Sequence, residues 1–118
     1  MNKNHIIISA IIGALGVALG AFGAHGLKTI LTSELLETYR TGILYHLIHS
    51  AVLLSLSLNS KYKLVIPFYF ILVGIILFSF SLYIYSITGI KVFAMITPFG
   101  GVSFIIGWLL IICSISKK

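Results

Sequence analysis

The residues with the most chemistry to offer are histidines placed inside apolar stretches: His25, His46 and His49. His46 and His49 are three positions apart, so on a helix they share a face. Counted from Gly42 at about 1.5 Å per residue, they lie roughly 6 and 10 Å inside a helix start. His25 ends an earlier apolar run, in Gly23-Ala24-His25-Gly26. An imidazole at such depth can bond a hydroxyl, ligate a metal or act as a base. Ionisable groups within a membrane span usually face the interior and are functional-site candidates by default. Tyr45 and Tyr83 fall at a similar level, as do Thr97 and Pro98, followed by Gly100-Gly101. These polar and helix-breaking residues gather in one half of the molecule. The other half is mostly aliphatic.

Four arrangements are open to such a cluster. The histidines and tyrosines can bond one another and brace the protein. They can line a wet pocket, open to the outer face, for a lipid head group, a quinone or another small ligand. His25, His46 and His49 can bind a metal or haem, although no H-E-x-x-H or cysteine-rich pattern supports it. Ser50 or Tyr45 can serve as a nucleophile with His49 as base, but no acidic residue is at hand to orient the imidazole. The reading adopted is a non-enzymatic membrane protein with an outward-facing polar pocket formed by His25, His46, His49, Tyr45, Tyr83, Thr97 and Pro98. It takes a lipid-like or small ligand, or a membrane partner. No catalytic residue, metal ligand or cofactor is assigned. A transporter or channel subunit acting as an oligomer is one alternative, and a His-based metal- or haem-binding protein is another.

The elements that position these residues follow from composition. Of 118 residues, 59% are hydrophobic and 8% charged, and the mean hydropathy is +1.16. A soluble domain carries about 25% charged residues because its surface must face water. Ten charges cannot coat a globule of this size, so the surface meets lipid. The apolar runs 6–27, 41–58, 64–87 and 92–115 each approach the roughly 20 residues that cross a bilayer. They make 1–118 a single transmembrane domain. The first run exceeds a signal-peptide core and is read as a retained helix. Lys61-Tyr62-Lys63 and Thr88-Gly89-Ile90-Lys91 are short links that predict antiparallel hairpins. The fold class is therefore all-α, an up-down four-helix membrane bundle.

The 28–40 segment holds both acidic residues, Glu34 and Glu37. Ser33 can cap a helix there, with carboxylates favoured in its first turns. It predicts a short amphipathic interfacial helix between the first and second spans. The net charge of +6 sits at the ends of apolar runs, where it sets topology and contacts lipid head groups rather than nucleic acid. Lys3, Lys61, Lys63, Lys117 and Lys118 share one face, against Lys28, Arg40 and Lys91 on the other. The positive-inside rule then puts both termini in the cytoplasm.

Gly13, Gly16, Gly20 and Gly23 form a stripe on the first span, and Gly100, Ser103 and Gly107 form one on the fourth. Small residues let helix backbones approach closely in lipid, so the two stripes are expected to pack together, with a homo-oligomer as an alternative use. Pro98 lacks an amide hydrogen and is expected to kink the fourth helix. Cys113 stands alone and carries no disulfide or metal site.

The motifs resemble a known family. Gly13-Ala-Leu-Gly-Val-Ala-Leu-Gly-Ala-Phe-Gly-Ala-His25-Gly-Leu27 is similar to the opening signature of the YgdD/YwdK family, domain of unknown function 423, to which animal transmembrane protein 256 is related. Tyr45-His46-x-x-His49, Leu77-Phe-Ser-Phe-Ser-Leu-Tyr83, Ile96-Thr-Pro-Phe-Gly-Gly101 and Gly107-Trp108 follow in the same order. The resemblance covers nearly the whole chain. It implies a small bacterial inner-membrane protein with about four spans and implies no activity. One departure is Phe80, where that family often has glycine; a bulky ring there narrows the space beside the polar cluster.

Overall fold

The computed structural model describes residues 1–117; Lys118 lies outside the described residues. Within them the chain forms four helices long and apolar enough to cross a membrane, and no strand. We number them α1 (Lys3–Leu27), α2 (Ser33–Leu58), α3 (Val65–Thr88) and α4 (Lys91–Ser116). The molecule is an all-α membrane-spanning bundle of two hairpins. Its backbones approach most closely between sequence neighbours, α1 with α2, α2 with α3 and α3 with α4. Helices α2 and α3 are the more enclosed, 39% and 44% buried, against 17% and 22% for α1 and α4. The outer pair therefore presents most of the surface left for lipid.

Local chemistry explains where each helix begins and ends. The Asn2 side chain accepts from the Asn4 and His5 amides and starts α1 at Lys3, earlier than the apolar run itself. Thr32, not Ser33, caps α2 by accepting from the Leu35 amide at 3.2 Å. Pro67 sits in the first turn of α3, where its missing N–H has no partner to lose. Gly89 closes α3 in the left-handed conformation, φ 70°, with its amide donating to Tyr85 at 2.7 Å. A left-handed residue after the last turn is the usual glycine C-terminus.

The 28–40 segment differs from expectation. Its helix is not a separate interfacial element but the first two turns of α2, which runs unbroken from Ser33. Thr38 and Thr41 satisfy their hydroxyls on the carbonyls of Glu34 and Glu37 within the helix, so nothing there interrupts it. Leu36 and Tyr39 are buried against Leu27 and Tyr83, which holds the segment upright on the bundle.

A second difference concerns the small-residue stripes. Gly16 and Gly23 of α1 face His46 and Leu47, and Tyr39, all on α2. Gly100 and Gly107 of α4 face Leu77, Phe78 and Ile71 on α3. Each stripe thus packs inside its own hairpin neighbour rather than against the other. Helix α4 is continuous through Pro98, from Lys91 to Ser116. Irregular turns, wider and π-helical, lie at Gly23–Leu27 and Ile75–Phe80.

Candidate functional site

Polar side chains tie every pair of neighbouring helices. Tyr39 donates to the Leu19 carbonyl at 2.5 Å, joining α2 to α1. Ser79 donates to the Gly42 carbonyl at 2.7 Å, joining α3 to α2. Ser103 donates to the Phe70 carbonyl at 2.7 Å, and Ser81 and Thr97 meet at 2.6 Å; both join α4 to α3. Among the described residues, no buried side-chain nitrogen or oxygen lacks a hydrogen-bond partner.

His46 is the centre of this bracing. It is fully buried, with Nε2 2.8 Å from the Ile12 carbonyl and Nδ1 2.8 Å from the Tyr83 hydroxyl. A carbonyl only accepts, so Nε2–H donates to α1 and Nδ1 accepts from Tyr83 of α3. Gly16 makes the approach possible, because a Cβ there would lie 3.0 Å from His46 Cδ2. Phe80 packs beside the pair, its ring 5.5 Å from His46 and 5.8 Å from Tyr83. The bulky residue occupies the space that a glycine would leave open.

His49 has the opposite tautomer. Its Nδ1 lies 2.8 Å from the Tyr45 carbonyl, and Trp108 Nε1–H donates to Nε2 at 3.1 Å. An indole N–H only donates, so Nε2 must carry the lone pair and Nδ1 the proton. The ring stacks on Phe104 at 3.8 Å and carries α2 across to α4. Both nitrogens of both histidines are thus engaged, which leaves neither a metal-binding lone pair nor a base for a nucleophile. Ser50, the candidate nucleophile, donates to the His46 carbonyl at 2.7 Å instead.

The structure brings His46 and Tyr83 together and sets His49 and Tyr45 in the adjoining layer, with rings 6.0 Å apart. Thr97 belongs to the α3–α4 tie, Pro98 is exposed, and His25 is exposed at the end of α1. Because α2 begins at Ser33, His46 lies about 20 Å from the helix start, near the middle of a helix roughly 39 Å long. The roughly 6 Å expected is counted from Gly42, nine residues after the observed helix start. Among the described residues no group of three His, Cys, Asp or Glu side chains could hold a metal ion.

Sequence reasoning passed over His5. Its Nδ1–H donates to Asn2 at 3.0 Å, and Tyr69 of α3 reaches its Nε2 at 3.2 Å. His5 also meets Phe68 edge-on, with ring centroids 4.9 Å apart. The available signal was Asn2, whose spacing from His5 marks a helix cap and pulls the histidine into the first span.

The open space lies elsewhere. A cavity of about 730 Å³ sits at the end bearing the termini, lined by Met1, residues 61–67, Ser114 and Lys117. A second, of about 220 Å³, runs along the side of α3 over Ile66, Tyr69, Phe70 and Val73, with Ser103. Neither is lined by any of the seven candidate residues, and Ile66 lines both. The link 59–64 shapes the larger cavity: Asn59 donates to the Tyr62 carbonyl at 2.7 Å and accepts from the Lys61 amide at 3.2 Å. The N-terminal ammonium donates to the Asn59 carbonyl at 3.1 Å, which pins the start of the chain to this rim.

Removing one of the helix ties should cost little. Trp108→Phe keeps an aromatic ring and loses one interhelical donor, so about 0.6 kcal/mol is expected. Denaturant titration of the purified protein in micelles, compared with wild type, checks this value.

Residues 19–101 match the model of a family described as "Protein of unknown function (DUF423)". The chain is 41% identical over 120 residues to UPF0382 membrane protein YwdK of Bacillus subtilis, covering 98% of each chain. It is 38% identical over 111 residues to UPF0382 inner membrane protein YgdD of Escherichia coli, covering 91% of this chain and 85% of that one. A UPF0382 membrane protein of Haemophilus influenzae is 38% identical over 114 residues, 92% of this chain and 90% of that one. No solved structure matches.

Proposed function

We propose, from the premise that the chain belongs to the DUF423 family of membrane proteins, that it holds a lipid-like amphiphile at the end bearing its termini. The reading is of a non-enzymatic, multi-pass protein of the bacterial inner membrane with both termini in the cytoplasm. One observation carries it: a lysine-rimmed cavity and an apolar groove lie side by side, with Ile66 lining both. That is the shape of a head group and a tail. The larger space is rimmed by lysines at the membrane boundary, and the smaller descends along α3 among side chains that face the bilayer, with Ile66 64% and Val73 43% exposed.

The histidine layer supports the same reading by serving as frame. With both ring nitrogens of His46 and His49 engaged, the cluster braces the helices against which a ligand rests. The core beneath is closed, since Leu53, Phe68, Ile71 and Ile75 are fully buried. A single copy therefore offers no water-filled path, which disfavours a pore formed by one chain. The outer flanks of α1 and α4 are the faces that a second copy or another membrane protein would meet.

Protein purified in mild detergent and passed through size exclusion should retain an amphiphile visible by native mass spectrometry. Val73→Trp, which fills the groove, should release it with no change in the helical circular dichroism. A wild-type protein that carries nothing, and takes up nothing from mixed-lipid nanodiscs, would sink the reading. Orientation has its own check: a green fluorescent protein fused after Lys118 should fluoresce, because it folds in the cytoplasm. A dark fusion whose alkaline phosphatase counterpart is active would reverse the topology.

A further inference from the structure

Building on the amphiphile reading, we infer that the larger cavity selects an anionic phosphate head group, and that its occupant is an anionic diacyl phospholipid of the cytoplasmic leaflet. Three lysines, Lys61, Lys63 and Lys117, line one cavity together with Met1. The N-terminal ammonium is fixed on the same rim by Asn59. Among the described residues no acidic side chain lines the cavity, and both acidic residues of the chain, Glu34 and Glu37, belong to the opposite end of α2. The positive charge here is thus concentrated without a carboxylate side chain to offset it.

Basic side chains at a cytoplasmic membrane surface attract anionic lipids, each contributing appreciably over a Debye length. A cavity adds what a flat patch lacks, because three basic side chains border the same recess. The link is also built rather than loose. Asn59 holds it by accepting from the Lys61 amide and donating to the Tyr62 carbonyl, and Lys61 Nζ lies 5.4 Å from the Tyr62 ring centroid. Beneath the lysines the wall turns apolar at Val65, Ile66 and Pro67, and Ile66 also lines the groove along α3. From Ile66 to Val73 the helix rises about 10 Å, a length that several acyl methylenes can follow. Free phosphate would use the lysines and leave this groove without a purpose. The adjacency of rim and groove, which share Ile66, therefore favours the lipid as the source of the phosphate.

The test uses the full chain in nanodiscs, with phosphatidylglycerol or phosphatidylcholine as probe and native mass spectrometry as readout. Phosphatidylglycerol should be retained preferentially. Lys61→Gln, Lys63→Gln and Lys117→Gln combined should weaken that retention on the order of a hundredfold, while thermal unfolding is unchanged. Lys28→Gln with Lys91→Gln, at the other end, should leave it intact. Equal retention of both lipids would overturn the anionic head group while leaving the amphiphile reading standing. Retention of neither would remove that reading as well. Displacement of phosphatidylglycerol by millimolar inorganic phosphate would overturn the lipid as occupant.

Discussion

His46→Ala is expected to destabilise the bundle by about 2–5 kcal/mol, the range for deleting a large buried side chain from a packed core. The ring is fully buried and touches three helices: its own, α1 through the Ile12 carbonyl and α3 through Tyr83. Truncation empties the space between Gly16, Phe80 and Tyr83 and removes the Tyr83 hydroxyl's partner on α2. The Ile12 carbonyl loses less, because it can still serve the backbone ladder of α1. His46→Phe separates the two contributions, since it restores volume and abolishes both hydrogen bonds. Such bonds average only about 0.6 kcal/mol within membranes, with a maximum near 1.7, so His46→Phe should recover more than half of the loss. Reversible unfolding in micelles, followed by circular dichroism, measures both variants. If His46→Ala unfolds within about 0.5 kcal/mol of wild type, the scale expected for a neutral surface change, the bracing role assigned to His46 is wrong.

How much of this could be read beforehand differs from residue to residue. The four spans were legible because the apolar runs match the bilayer in length and the links are short. The His46–Tyr83 neighbourhood was legible too, because a polar residue in lipid must find a partner. The direction of each imidazole was not, since the tautomer depends on which carbonyl the neighbouring helix offers. A cap signal at Ser33 followed by Glu34 and Glu37 suggests a separate interfacial helix, but the same signals serve equally well for the first turns of α2. A continuous helix can carry polar turns beyond the hydrocarbon and still be one rod, as α2 does from Thr32 onward. The lysine-rimmed cavity was missed for a related reason. The antiparallel hairpin puts Lys61, Lys63 and Lys117 on one face, but their spacing does not show that a recess opens between them. Gly42 and Gly74 were passed over as well, although Tyr83 and Phe104 rest on them. Isolated glycines form no stripe and give no periodic signal.

The two glycine stripes permit a sharper test, because the same substitution should act with opposite sign along them. Gly100→Ala would put a methyl 2.7 Å from both the Leu77 carbonyl carbon and the Phe78 Cα. Those atoms are backbone, so no rotamer change relieves the clash and α3 and α4 must separate. Overpacking of this kind costs about 1–3 kcal/mol, and backbone opposition puts Gly100→Ala at the upper end. The displaced segment lies in the wide turn Ile75–Phe80, where Phe78 also accepts from Ser81, which meets Thr97. Prising the helices apart should therefore break the Ser81–Thr97 tie. Adding Ser81→Ala to Gly100→Ala should cost less than Ser81→Ala does in wild type, a coupling that a double-mutant cycle reads directly. Gly13→Ala is the counterpart on α1, where a Cβ would sit 3.9 Å from the Ser50 Cβ, an ordinary contact. With no clash, the intrinsic preference of alanine over glycine in a helix, close to 1 kcal/mol, should prevail and stabilise the protein. Measured side by side, the two variants should bracket wild type. If Gly100→Ala is no less stable than Gly13→Ala, backbone approach does not govern these stripes, and the close packing of α4 on α3 is not what holds the second hairpin together.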